Sequence, residues 1–295
     1  MDAVSVAVPR KGRPLEAVLE RFARGAPGRV AEAADDVVST LRYEKAVTKG
    51  ETTAEAGIYD RLARYSDPEA PDAPEYSLLR DARAGFPRRV VFDSMVVPFA
   101  GREIRLVGRE EPFRALRKHE FALGFDSADL VLEEVVTLRD DPLRTLDGVN
   151  GRIDPVDTDV RLVDGLGDTV HHTLLATPET CDEGTLDRSF LRRYEGPLCI
   201  APRYERLVEA VVGTSALDGV EFVYPDEGRE EEAAIADAGA GVYLTVTGST
   251  ARDHGLLVGK QLFPSQTVLL ENPAEATDGS RTVAEQLFAM PEPAR

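Results

Sequence analysis

The 295 residues include no tryptophan, three methionines and two cysteines, and only five of the 35 basic residues are lysine. Cys181 and Cys199 stand alone, neither in a Cys-x-x-Cys pair. A disulfide framework and a cysteine-built metal site are therefore not expected, and both thiols read as packing residues in a reducing compartment. No apolar run approaches the roughly 20 residues that cross a bilayer. The first residues also lack a signal-peptide plan, because Arg10, Lys11 and Arg13 follow the apolar run instead of preceding it. A cytoplasmic chain is expected. Positive charge is scarce as well, and the net charge of −18 disfavours nucleic acid and anionic membrane as partners. Acid is scattered along the whole chain, which reads as adaptation to a salt-rich cytoplasm. At about 1 M salt the Debye length shrinks to roughly 3 Å and self-repulsion is screened.

A content of 42% hydrophobic and 30% charged residues is that of a globular protein with one large or two medium domains. Val4-Ser5-Val6-Ala7-Val8 reads as a buried strand. Pro9 ends it, and Pro14 sits in a first helical turn. Leu15, Val18, Leu19 and Phe22 then recur at helical spacing to about Arg24. Residues 65–76, with Pro68, Pro71 and Pro74, read as an exposed loop. Short strands are expected at 90–92, 104–107 and 121–125, a helix from Pro112, and another capped by Ser127. Residues 138–158 are rich in Asp, Pro and Gly and read as a crossing loop. Strands at 171–176, 197–201, 220–224, 242–246 and 267–270 alternate with helices from Pro202 and Gly228 and a tail helix at 282–290. That alternation predicts an α/β fold with mainly parallel sheets.

The sharpest local feature follows the strand at 242–246: Thr247-Gly248-Ser249-Thr250, then a short helix closed by Gly255. Glycine admits a phosphate close to the backbone, and hydroxyls and N–H groups at a helix start supply donors. The same residue types also cap ordinary helices. His171-His172 invites a metal reading, but neighbours on a strand point to opposite faces and cannot hold one ion together. Asp226 and Glu230-Glu231-Glu232 read as a solvated acidic face, with Glu230 set apart by the motif below.

Glu230, Ala236, Ala238, Gly248, Thr250, His254 and Gly255 fall at the spacings of a pattern in the ATP phosphoribosyltransferase family, the first enzyme of histidine biosynthesis. Four further segments resemble that family in order: the opening strand with Lys11-Gly12-Arg13, then residues 121–129, 197–204 and 265–273. The regions 30–108 and 138–158 match nothing in it. The resemblance implies a two-lobed α/β fold of the periplasmic-binding-protein type II kind, with its active site in a cleft. Lobe 1 is expected at 1–160 with an insertion at about 30–108, lobe 2 at 161–257, and a return to lobe 1 with the tail helix at 258–295.

It further implies that Thr247, Gly248, Ser249, Thr250 and Glu230 bind phosphoribosyl pyrophosphate, and that Lys11, Gly12, Arg13, Asp126 and Asp129 serve the pyrophosphate or nucleotide. Mg²⁺ is the implied cofactor, with no dedicated metal ligands in the chain. The partners are small molecules, in a possible homo-oligomer. The implied reaction transfers the phosphoribosyl group to N1 of ATP and releases pyrophosphate. Tyr243 stands where the family carries an aspartate for the ribose hydroxyls, and Asp126-Ser127 replaces a Thr-Gly. The first departure favours the alternative, a non-catalytic sensor or regulatory protein that binds a phosphorylated small molecule.

Overall fold

A computed structural model describes residues 3–289 except 27, 68, 71–72, 81–87, 100, 182–184 and 227. Pro68, Pro71 and Met290 of the expectations above lie outside the described residues. The chain opens with β1 (Val4–Pro9), α1 (Gly12–Gly25), α2 (Arg29–Lys49) and α3 (Ile58–Tyr65). Next come β2 (Glu75–Arg80), β3 (Arg88–Phe99), β4 (Arg102–Arg109), α4 (Pro112–Arg117), β5 (Leu123–Ser127) and α5 (Ala128–Glu134). After a loop follow β6 (Arg161–Gly165), β7 (Val170–Ala176), α6 (Arg188–Leu191), β8 (Gly196–Cys199), α7 (Glu205–Val212) and β9 (Val220–Val223). The last elements are α8 (Glu231–Ala238), β10 (Ala240–Thr245), α9 (Ser249–Asp253), β11 (Leu257–Ser265), β12 (Thr267–Glu271) and α10 (Asp278–Ala289). Among the described residues no helix is long and apolar enough to cross a membrane.

Two compact units result. Unit 1 comprises Met1–Asp126, Asp159–Leu166 and Thr267–Arg295, and unit 2 comprises Ser127–Thr158 and Gly167–Gln266. Residues 127–158, expected with the first lobe, fold with unit 2 because they are stitched to its helices. Leu143 N–H donates to Ala210 O (2.9 Å), and Thr214 N–H donates to Arg139 O (3.1 Å).

Unit 1 is built on a seven-stranded sheet of order β2-β3-β4-β1-β5-β12-β6. Its centre is parallel, β1 pairing with β4 and β5, while β2, β3 and β4 form an antiparallel meander. The stretch expected as an insertion thus supplies α2, α3 and that meander. At the other edge β6 runs antiparallel to β12. The apolar stripe of α1 is buried as its spacing predicts, and Phe22 stands edge-on to Phe99 (5.2 Å) and Phe125 (6.2 Å). Removing a buried ring of this kind costs about 3–5 kcal/mol. Gly124 is required by packing, since a Cβ there would lie 2.5 Å from Leu116 Cδ1 and 3.1 Å from Ala7 Cβ. Beneath α2, Glu44 takes both arms of Arg61 at 2.7 and 2.8 Å, and Tyr65 Oη donates to it at 2.8 Å.

Unit 2 carries a five-stranded sheet of order β11-β7-β10-β8-β9, parallel from β10 to β9 and antiparallel around β7. His172 is fully buried and His171 half-buried, on opposite faces of β7 as the strand geometry demands. His172 packs edge-on against Tyr204 (4.9 Å). Cys181 and Cys199 are free, and burial pushes the Cys199 thiol pKa up, which makes it a packing group and not a nucleophile.

Candidate functional site

β10 delivers the chain to the 247–250 loop. Ala240 and Val242 anchor the strand in the core, whereas Val246 and Thr247 emerge into solvent. Gly248 then adopts φ +69°, ψ 19°, the left-handed conformation that glycine enters without penalty. Its backbone is buried, and a Cβ there would lie 2.9 and 3.1 Å from the two methyls of Val258. The turn starts α9 with no side chain capping its N-terminus. First-turn N–H groups have no intrahelical acceptor, so those of Thr250 and Ala251 are the donors of this end. Thr247 Oγ1 lies 3.1 Å from Ser249 Oγ, and Ser249 N–H points to Thr247 Oγ1 at 3.4 Å. Thr247, Ser249 and Thr250 are all exposed. Arg252 Nη1 donates to Thr247 O at 2.9 Å and so brings a guanidinium back over the loop.

Glu230 precedes α8, and its carboxylate meets His254 Nε2 at 3.3 Å. Two residues of the motif, 24 apart in sequence, thus meet at the surface.

In unit 1 the Lys11-Gly12-Arg13 turn joins β1 to α1. Arg10 braces it from behind: its O accepts from Phe92 N–H (3.0 Å), its Nε donates to Phe92 O (3.1 Å), and its Nη2 pairs with Asp93 (2.9 Å). Lys11 reaches Glu110 at 3.3 Å, with both side chains about two-fifths exposed. A weak surface pair of this kind leaves the ammonium available.

A family model described as halobacterial ATP phosphoribosyltransferase matches residues 1–294. The chain belongs to that family. Among solved structures it is similar to an ATP phosphoribosyl transferase (HisG:HisZ) complex from Thermotoga maritima, at 14% identity and TM-score 0.42, covering 97% of each chain. It is also similar to a Gly52Ala mutant of arginine-bound ArgBP from T. maritima (15% identity, TM-score 0.32, 64% of this chain and 78% of that one). A third is an ancestral amino-acid-binding protein, AncCDT-1 (12% identity, TM-score 0.36, 64% and 73%). No curated protein matches the chain.

Within this phosphoribosyltransferase family, two of the residues expected to bind ligand are taken up by the fold. Asp126 is buried and accepts from Phe113 N–H at 2.9 Å, which caps α4. Asp129 is buried in unit 2, where Ser265 Oγ donates to Oδ2 at 3.0 Å. Its Oδ1 lies 3.1 Å from His172 Nε2, a close contact that is not aligned as a hydrogen bond. Ser127 caps α5 as its sequence position predicts, by accepting from Asp129 N–H.

Tyr243, where the resemblance places an aspartate, is half-buried on β10 with Glu231 among its charged neighbours. Burial first, then the charges of Glu231 and Glu232, push its phenol up to about 12. It therefore stays protonated at neutral pH and donates. Of the acids expected at the site, Glu230 forms an exposed pair with His254 and Asp126 is taken up by the start of α4. Glu231, one residue on, is the carboxylate that accompanies Tyr243. The motif spacing pointed only to its neighbour.

Proposed function

We propose that the chain is an ATP phosphoribosyltransferase that binds phosphoribosyl pyrophosphate through the 247–250 loop. The observation that carries this reading is the loop itself. Gly248 is buried and left-handed at the start of α9, and Thr247, Ser249 and Thr250 beside it expose their side chains to solvent. The donors suit a 5′-phosphate, Arg252 adds a cation, and Glu230 lies close by, paired with His254. Lys11, Gly12 and Arg13 serve the pyrophosphate or the nucleotide.

In the reaction, N1 of ATP forms a bond to C1′ while the bond from C1′ to the pyrophosphate oxygen breaks. The electron pair leaves with pyrophosphate. Positioning and charge neutralisation account for most of such catalysis, and no strong base is needed. Tyr243 donates to one ribose hydroxyl and Glu231 accepts from another, which together replace a single aspartate and leave negative charge near C1′. Among the described residues, no group of three or more His, Cys, Asp or Glu side chains is placed to hold a metal. Mg²⁺, when bound, would be carried on substrate phosphates and would supply positive charge there.

A second reading, a non-catalytic sensor with the same loop, is favoured by one observation, the phenol at 243. Titration calorimetry with phosphoribosyl pyrophosphate, with and without ATP, together with a pyrophosphate-release assay, separates the two. Binding with release supports the enzyme, and binding without release supports the sensor. No binding in either condition overturns both.

A further inference from the structure

Three of the five lysines, Lys11, Lys45 and Lys49, line one pocket of about 510 Å³ in unit 1. Three arginines, Arg13, Arg42 and Arg89, line it too, against only two carboxylates, Glu16 and Glu44. In a chain of net charge −18, whose acids are scattered throughout, this convergence of cations runs against the general field. The pocket is assembled from three remote pieces of sequence: the turn before α1, the C-terminal half of α2, and the start of β3. Arg42, Lys45 and Lys49 stand at i, i+3 and i+7, so they share one face of α2.

The two carboxylates offset only part of that charge. Glu44 is buried, and its oxygens are spent on Arg61 and Tyr65. Glu16 accepts from Arg42 at 2.7 Å. Lys11 and Lys49 have only exposed partners, Glu110 at 3.3 Å and Glu51 at 3.6 Å, and surface pairs of this kind hold weakly. Lys45 has no ion-pair partner among the described residues. Apolar side chains of Leu15, Val38 and Val90 complete the wall. The volume is in the range of small-ligand pockets.

We infer that this pocket binds a di- or triphosphate chain, with Lys45 and Lys49 of α2 as binding residues. The inference extends the role proposed for Lys11 and Arg13 to the facing helix α2. It does not depend on the 247–250 loop. Two sources share this chemistry, the polyphosphate of a nucleotide and free pyrophosphate.

The test is titration calorimetry on the full chain in molar KCl without divalent cation, using inorganic tripolyphosphate, pyrophosphate and ATP as probes. Three proteins are compared: wild type, Lys45→Gln/Lys49→Gln, and Lys118→Gln/Lys260→Gln. The last removes the same charge at the two remaining lysines. Tripolyphosphate is expected to bind wild type, at least about tenfold more weakly to the first variant, and within about twofold of wild type to the control. ATP binding with the same dependence assigns the pocket to a nucleotide; dependence for pyrophosphate alone assigns it to the leaving group. No tripolyphosphate binding by wild type, or equal weakening in both variants, overturns the inference. Phosphoribosyl pyrophosphate titrated into Thr250→Val keeps the two readings apart. Its loss there, with no tripolyphosphate binding, sinks this inference and spares the loop. Lysine-dependent tripolyphosphate binding, with no phosphoribosyl pyrophosphate binding by wild type, does the reverse.

Discussion

Replacing Gly248 with alanine perturbs the loop at two separable points. The backbone stays left-handed at φ +69°, which costs an L-residue roughly 1–2 kcal/mol. The new Cβ would also lie 2.9 and 3.1 Å from the Val258 methyls. Val258 is branched at Cβ and stiff at χ1, so it cannot swing aside, and overpacking of this kind costs roughly 1–3 kcal/mol. Together the expected loss is about 2–5 kcal/mol. Val258→Ala removes the clash but not the backbone strain. In a cycle of wild type, both single variants and the double, the two changes should therefore couple by about 1–2 kcal/mol. Urea unfolding in molar KCl reads all four stabilities. Titration with phosphoribosyl pyrophosphate reads the loop, and Gly248→Ala should weaken binding about tenfold or more. A Gly248→Ala stability within about 0.5 kcal/mol of wild type, or strict additivity in the cycle, would refute the assignment of strain and contact at this turn.

Thr250→Val keeps the shape of the loop and deletes one donor, so phosphoribosyl pyrophosphate binding should fall by about 1–3 kcal/mol, the range for bonds to charged groups; unchanged affinity would make the loop a plain helix start. With net charge −18, thermal unfolding should move to higher temperature as KCl rises toward molar, and indifference to KCl would remove the salt-adaptation reading. Burial pushes Tyr65, Tyr204 and Tyr243 up to about 12 from an ordinary 10. Their folded pKa values lie above the unfolded ones, so this contribution to stability is complete below pH 10 and is lost as pH rises through about 12. In an absorbance titration these phenols should ionise only as the fold opens; reversible ionisation of all eight tyrosines near pH 10 in a folded protein would contradict that.

The opening strand and α1 were legible because one face is buried and its spacing is undiluted: Leu15, Val18, Leu19 and Phe22 all point inward. The loop at 247–250 was legible from glycine and hydroxyls after an apolar strand. The helix α2 was not read, although Val30, Ala34 and Val37 are buried at helical spacing and Gly50 ends it in the left-handed conformation. Alanine and charge dilute that stripe, and its cations gain meaning only beside Lys11, which lies far off in sequence. The strand β3 runs from Arg88 to Phe99, yet the pattern revealed only 90–92 near its beginning, because Pro98 near its end argues against a strand. Asp126 and Asp129 show where residue type stops being informative. A carboxylate that caps a buried helix and one that binds a ligand read alike in sequence. Only Phe113 N–H, Ser265 and His172 distinguish them.

The central claim is that this chain transfers a phosphoribosyl group, and pyrophosphate release tests it most directly. Purified protein in molar KCl, given ATP, phosphoribosyl pyrophosphate and Mg²⁺, should release pyrophosphate and form an equal amount of phosphoribosyl-ATP. Omitting either substrate should abolish both products. Glu231→Gln should slow release by about tenfold or more, since it removes the carboxylate beside Tyr243 that meets developing positive charge. Tyr243→Asp should keep or raise the rate. Tight binding of phosphoribosyl pyrophosphate with no pyrophosphate released by wild type or by Tyr243→Asp would contradict the account and identify a binding protein built on an enzyme's frame.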